Sequence, residues 1–254
     1  MTATFSPAPG AAPLGRMIRT QAAMETRLLL RNGEQLLLAV VIPVIVLVGT
    51  VKSAGHLSLD LSHPAVDVFT PGVLALAVMS TAFTSLAIQT GFERRYGVLK
   101  RLGSSPLPRS GLLLGKVLAL LLVEVLQLVI VGGVGFALGW APSVSVIGAV
   151  ATFALGTFAF AGLGLFVAGV LRAEATLAAA NLIYLLLLAG GAVVIPASSY
   201  GGFGEVARWL PSGALGESMR FALIDHGIDA TGLLVLLGWG LLGTALTART
   251  FRWE

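Results

Sequence analysis

Six predominantly apolar runs, at about 36–52, 72–91, 112–138, 146–170, 176–195 and 231–248, constrain this chain more than any other feature. A helix rising about 1.5 Å per residue needs roughly 20 apolar residues to cross the hydrocarbon layer of a bilayer. Lipid offers no partner for backbone N–H and C=O groups, so such runs cross as helices that satisfy themselves. Composition agrees: 11% of the 254 residues are charged and the mean hydropathy is +0.93, whereas a soluble domain carries about 25% charged residues. The expected fold is an all-α polytopic membrane protein with six transmembrane helices. The first run is the shortest, draws on residues 33–35 for length, and carries Pro43, which predicts a kink. The third is long enough to tilt or to break at Gly132, Gly133 and Gly135.

Charge sets the expected orientation. Six spans place both ends on one side. Arg16, Arg19, Arg27, Arg31, Arg94, Arg95, Lys100, Arg101, Arg109, Lys116, Arg172, Arg249 and Arg252 fall on that side, 13 of the 16 basic residues. The other side holds Lys52, Arg208 and Arg220 beside Asp60, Asp67, Glu205, Glu217, Asp225 and Asp229. The positive-inside rule puts both termini in the cytoplasm, in a cytoplasmic (inner) membrane. The absence of cysteine excludes a disulfide framework and a thiolate metal site. His56, His63 and His226 lack metal-ligand spacing, so no metal is expected. The basic balance reads as topology, and nucleic acid is not an expected partner.

Residues 1–13 read as a disordered tail, and 14–254 as a single domain. Over 14–31 the arginines recur at spacings of three and four, with Leu14, Met17, Ile18, Met24 and Leu28 around them. This is the pattern of an amphipathic helix lying among membrane lipids at the cytoplasmic surface; a helix packed on a soluble partner would look similar. Residues 196–230 are too polar to span. Pro196, Pro211, several aromatics and the stripe Leu215, Met219, Ala222 and Leu223 predict two short external re-entrant helices.

The longest basic stretch, ERRYGVLKRLGSSPLPRSGLLLGK over 93–116, joins the second and third spans. Glu93 to Arg101 reads as a short helix, Gly103 as its end, and Ser104 to Pro108 as a turn. Charge alone would suit an ordinary solvated loop. The order of residues resembles the intracellular loop of ABC type-2 exporter permeases, and their daunorubicin or drug-resistance exporter-like branch looks closest. The matching residues are Glu93, Arg94, Gly97, Leu99, Arg101, Leu102, Ser105, Pro106, Leu107, Arg109, Gly115 and Lys116. That family usually has Thr after the loop glycine, where this chain has Val98. The layout of interfacial helix, six spans and a proline-rich external segment is similar to the family's along the whole chain. The resemblance implies a transport subunit without catalysis of its own, active in drug efflux or antibiotic resistance. Loop 93–111 would be a coupling helix seated in a separate nucleotide-binding ATPase subunit, which alone would bind ATP and Mg. A second permease copy, or a homologous permease, would complete the transporter.

Two other motifs mislead. Gly111-Leu-Leu-Leu-Gly115-Lys116-Val117 is one residue short of a phosphate-binding loop and lacks its Ser/Thr. Gly238-Trp-Gly240-Leu-Leu-Gly243 matches a dinucleotide fingerprint but lies inside an apolar span. Close helix packing accounts for both, and for Gly135/Gly139.

The spans carry few polar residues. Glu124 lies roughly 18 Å into the third span, where a bare charge costs about 2.5–3.5 kcal/mol. Gln127, three residues on, is placed to hydrogen-bond it. Thr81, Ser85 and Gln89 stripe the second span; Asn181 and Tyr184 stripe the fifth. Ser85, Gln89, Glu124, Gln127, Asn181 and Tyr184 are the candidates for a substrate path or a permease dimer interface, and interhelical bonding without a transport role fits them equally. A hydrophobic or amphiphilic cargo, such as a drug, antibiotic or lipid, suits so apolar an interior. An ATP-independent carrier or channel would call for internal repeats or more mid-membrane charge. A membrane-embedded lipid-modifying enzyme would call for clustered acids or a nucleophile–base pair.

Overall fold

The computed structural model of the chain describes residues 12–31, 33–55, 61–103 and 106–250, without the side chains of residues 34–38 and 109. The expected tail therefore lies almost wholly outside the described residues, as do Ser105 and the Arg109 side chain.

The apolar runs fold as helices, and no strand occurs among the described residues. In chain order they are α1 (Leu14–Arg31), α2 (Gly33–Ser53), α3 (Ala65–Met79), α4 (Leu86–Arg95), α5 (Val98–Gly103) and α6 (Arg109–Ala137). Then follow α7 (Val146–Val170), α8 (Ala173–Gly190), α9 (Gly202–Ala207), α10 (Pro211–Leu223) and α11 (Ala230–Thr250). A π-helical turn, Ser80–Ser85, joins α3 and α4 into one rod, Ala65–Arg95. This rod and α6, α7, α8 and α11 are the five helices long and apolar enough to cross a membrane; α2 adds a shorter apolar stretch, Ala39–Ser53. The protein is an all-α polytopic membrane protein.

The rod is the axis of the bundle. Of its apolar window 78% is buried, against 17% for α8. Phe69, Met79, Phe83 and Leu86 from the rod, Phe160 from α7 and Leu215 and Met219 from α10 are almost fully enclosed. Leu182, Leu185 and Leu186 of α8 and Leu122, Val125 and Val129 of α6 face outward, as apolar residues do when the solvent is lipid. Helices α7 and α11 pack closely because glycine lets their backbones meet. A Cβ on Gly243 would lie 2.7 Å from the Gly162 carbonyl carbon, and Gly240 seats the Phe158 ring. Thr247 Oγ1 then reaches Gly162 O at 3.1 Å. The fingerprint-like glycines 240 and 243 thus serve helix packing, whereas Gly238 faces open space.

Several boundaries differ from the sequence reading. The fifth span ends at Gly190, and 191–195 is bent chain, not helix. Tandem glycines, Ala192 in the left-handed region (φ 55°) and Pro196 stop it there. The third span does not break: α6 runs unbroken through Gly132, Gly133 and Gly135. Gly135 instead admits the Thr70 side chain, where a Cβ would come within 2.8 Å. Gly139 is no packing residue; it takes φ 93° in the turn after α6. The basic loop does not begin with a fresh helix at Glu93. The rod carries Glu93, Arg94 and Arg95, and the chain breaks at Gly97, whose φ of 67° is left-handed.

The bundle has two chemically different ends. One, the basic end, gathers α1, α5 and the α7–α8 turn. The other holds the bent segment 191–195, α9 and α10. There Arg220, 5% exposed, donates through its guanidinium to the Ala192, Val193 and Val194 carbonyls at 3.1–3.5 Å. These are carbonyls that a continuing helix would have satisfied. Burial pulls the Arg220 guanidinium below its ordinary pKa, a fall that nearby Glu217 only partly offsets. Tyr200 donates to Ala189 O at 2.9 Å, and Ser212 to Gly191 O at 2.9 Å. These side chains thereby supply donors to the carbonyls at and beyond the end of α8.

Candidate coupling and transport site

Helix α1 does not lie free. It docks on α6 through Gln21, Ala22, Glu25 and Leu29, while Arg16, Arg19, Arg27, Met24 and Leu28 stay exposed. The approach is close because Gly115 has no side chain: a Cβ there would meet the Gln21 side chain at 2.7 Å. One residue on, Lys116 is 4% exposed. Its Nζ lies 3.0 Å from Glu25 Oε1 and 2.7 Å from Glu93 Oε1. Gln89 Nε2 donates to Glu25 Oε2 at 2.8 Å and to Glu93 Oε1 at 3.0 Å, and Gln21 Nε2 donates to Glu25 Oε1 at 2.9 Å. Buried charges persist only when paired and hydrogen-bonded. This cluster does both, and fastens α1, the lower end of the rod and the start of α6 to one another.

The neighbouring arginines extend the fastening. Helix α7 ends at Val170 and leaves its last carbonyls without N–H partners. Arg94 supplies them: Nη1 donates to Ala168 O at 2.8 Å and Gly169 O at 2.5 Å, and Nη2 to Leu171 O at 2.8 Å. A cation at a helix C-terminus also meets the negative end of its dipole. Arg95 pairs with Glu174 in the first turn of α8; both are half exposed, so that pair alone contributes little. Glu93 and Arg94, expected to face a partner, therefore spend their side chains inside the chain. The next turn differs. Leu99 is buried, Lys100 and Arg101 are exposed, and Arg101 reaches back to Tyr96 O at 3.3 Å. Leu102 is half-buried and Pro106 exposed.

The candidate transport residues separate into two groups. Ser85, Gln89, Asn181 and Tyr184 line one cleft of about 760 Å³, between α1–α2 on one side and α4 and α8 on the other. Glu124 and Gln127 do not line it; both are fully enclosed between helices. Nor do they bond each other. Thr157 donates to Glu124 Oε2 at 2.7 Å, and Glu124 Oε1 has no partner among the described residues. Gln127 accepts from Thr81 at 3.0 Å and donates to Ala39 O at 2.8 Å. The second bond has a cause in α2: Pro43 has no N–H, so the carbonyl four residues earlier, at Ala39, lacks its helical partner. Lipid cannot supply one, and Gln127 does.

Sequence reasoning missed Glu25 and Gln21 and gave Lys116 no role. The signals were present, since Glu25 is the only acid in α1 and Lys116 the only ammonium in the apolar helix α6.

Five apolar rods long enough to cross a bilayer, with a buried ionic cluster fastening several elements at one end, define a multi-pass membrane protein. The family model for ABC-2 family transporter proteins matches residues 60–249, most of the chain, and the protein belongs to that family. It is a transmembrane component of an ABC transporter. Among curated proteins and among solved structures, none matches the chain.

Proposed function

We propose that this chain is the permease subunit of an ATP-driven exporter in a cytoplasmic membrane. It moves a hydrophobic or amphiphilic compound outward, and its daunorubicin-exporter-like loop makes a drug or antibiotic the leading cargo. The basic end faces the cytoplasm, on the strength of 13 of 16 basic residues. ATP and Mg are bound by a separate ATPase subunit, and a second permease completes the assembly.

One observation carries the reading. The segment Glu93–Arg95 is tied to α1 and α6 through Lys116, to α7 through Arg94 and to α8 through Arg95, while α5 just beyond presents exposed cations. A push on α5 from a cytoplasmic ATPase thus arrives at a point shared by four elements, α1, α6, α7 and α8. Arg101, with Lys100 beside it, is the residue for a partner's acids; Leu99, Leu102 and Pro106 shape the seat. Co-expression with a P-loop ATPase encoded beside this chain tests it. The two co-purify, amphiphilic compounds stimulate ATP hydrolysis, and replacing residues 97–103 abolishes both. Retention of the complex after that replacement refutes the proposed contact.

A further inference from the structure

At the end opposite the basic one, two chemically unlike hollows run into each other. The first, about 390 Å³, lies between α9, α10 and the start of α11, and its walls include Glu205, Arg208, Glu217 and Asp229. The second, about 430 Å³, runs along α11 past Leu234, Gly238 and Leu242, and no charged residue lines it. Trp209, Thr231 and Val235 line both. The α11 residues of the second hollow recur at spacings of three and four, so they share one face, and that face is about 16 Å long from Thr231 to Leu242. Gly238 gives it depth: nothing lies within 4 Å of where its Cβ would stand. The Trp239 indole closes one wall by donating to Trp209 O at 2.9 Å. Indoles favour the boundary between lipid headgroups and hydrocarbon.

The charges of the first hollow are not equally engaged. Glu217 accepts from Ala197 N at 2.7 Å and stands 3.8 Å from the buried Arg220. Asp229 accepts from Gly232 N at 3.0 Å, in the first turn of α11, and from Ser218 Oγ at 2.9 Å. The Glu205 and Arg208 side chains have only each other among the described residues. They lie 3.9 Å apart and are 77% and 54% exposed, a pair that contributes little by itself. The polar hollow thus offers one carboxylate and one guanidinium, balanced in charge, next to an apolar trough. A guanidinium fork matches a phosphate, and a carboxylate accepts from an ammonium.

We propose that the joined hollows hold a zwitterionic phospholipid with a primary-amine head. Its phosphate lies on Arg208, its ammonium on Glu205, and one acyl chain runs along α11 past Gly238. Charge complementarity selects this occupant: an anionic head leaves Glu205 unmatched, and a quaternary ammonium brings no N–H. The site shares no residue with the cleft of Ser85 and Tyr184, so it stands or falls apart from the exporter reading.

Native mass spectrometry of the full chain in detergent tests it. The probes are dioleoyl phosphatidylethanolamine, phosphatidylcholine and phosphatidylglycerol, offered in equal amounts. One hydrogen bond of ordinary strength corresponds to about fivefold in affinity, so the ethanolamine lipid is retained about fivefold over the choline lipid, and the glycerol lipid least. Glu205→Gln removes that preference. Arg208→Gln weakens retention of the ethanolamine and choline lipids alike. Gly238→Trp fills the trough and releases the bound lipid. All three positions are exposed, so the melting temperature holds in each variant and lost retention reports lost binding. Equal retention of the three heads, or an ethanolamine preference that survives Glu205→Gln, overturns the assignment of the head. Retention untouched by Gly238→Trp overturns the site.

Discussion

Replacing Lys116 by Met is the sharpest test of the fastening between α1, the rod and α6. The ammonium sits 3.0 Å from Glu25 and 2.7 Å from Glu93, with the Lys116 and Glu25 side chains each 3% exposed. Met keeps the chain length and the apolar stem, so packing changes little. What remains is two carboxylates in one enclosed space, held by Gln21 and Gln89 alone. Removing one member of a buried ion pair costs about 3–5 kcal/mol. For a chain of this size that is a fall in melting temperature of roughly 10 °C. The triple variant Glu25→Gln, Glu93→Gln, Lys116→Met removes every charge together, and neutral replacement of a whole buried group is often close to neutral. It regains most of the lost stability. Thermal unfolding in detergent or nanodiscs, followed by tryptophan fluorescence, reads both. A Lys116→Met protein within about 1 kcal/mol of the parent, or a triple variant no better than the single, refutes the claim that the cluster stabilises by charge pairing. The triple variant should also separate stability from transport: it folds, but amphiphile-stimulated ATP hydrolysis by its complex falls.

Three further outcomes are expected. Gln127→Leu strips the Ala39 carbonyl and Thr81 of partners and costs about 1–3 kcal/mol. Adding Pro43→Ala, which restores the missing N–H in α2, recovers part of that in a double-mutant melting series. Arg220→Lys loses the planar fork that spans three carbonyls, so amide exchange at 191–195 quickens while exchange in α7 does not. Gly243→Leu drives a side chain into the Gly162 backbone, where even a Cβ would lie at 2.7 Å; it destabilises by about 1–3 kcal/mol, and Gly238→Leu, facing open space, does not.

Hydropathy is enough to read the apolar helices and their order, because burial in lipid acts on each run separately, and the glycines of the last span mark it as a packing face without naming its partner α7. Pairings between runs were less legible. Gln127 was matched with Glu124 because they lie three residues apart on one helix; its actual partner is the carbonyl orphaned by Pro43, on another helix and 88 positions away. Pro43 announces the kink in the sequence, but not that the carbonyl it orphans at residue 39 finds its donor on another helix. Glu93 and Arg94 stand in a basic loop and so read as partner-facing. Their side chains turn inward because Lys116 and the end of α7 present unmet charge and carbonyls, which only the assembled bundle brings near. Ser85, Gln89, Asn181 and Tyr184 do gather in one cleft, as two polar stripes on adjacent helices would suggest. The bent segment 191–195 carries an apolar sequence like any span, and only the tandem glycines and Pro196 hint at its break.

The π-helical turn at Ser80–Ser85 amounts to one surplus residue threaded into the central rod. An i→i+5 turn takes up its extra residue within one turn, so the helix above and below it keeps nearly the register of an unbroken α-helix. A residue added in α4 ahead of Gln89 finds no such sink and turns everything toward the basic end by about 100°. Glu93 would swing away from Lys116, Arg94 away from α7, and Gln89 out of register with α1, with no chemical group removed from any of them. One residue fewer within these six positions is therefore absorbed where one residue more in α4 is not.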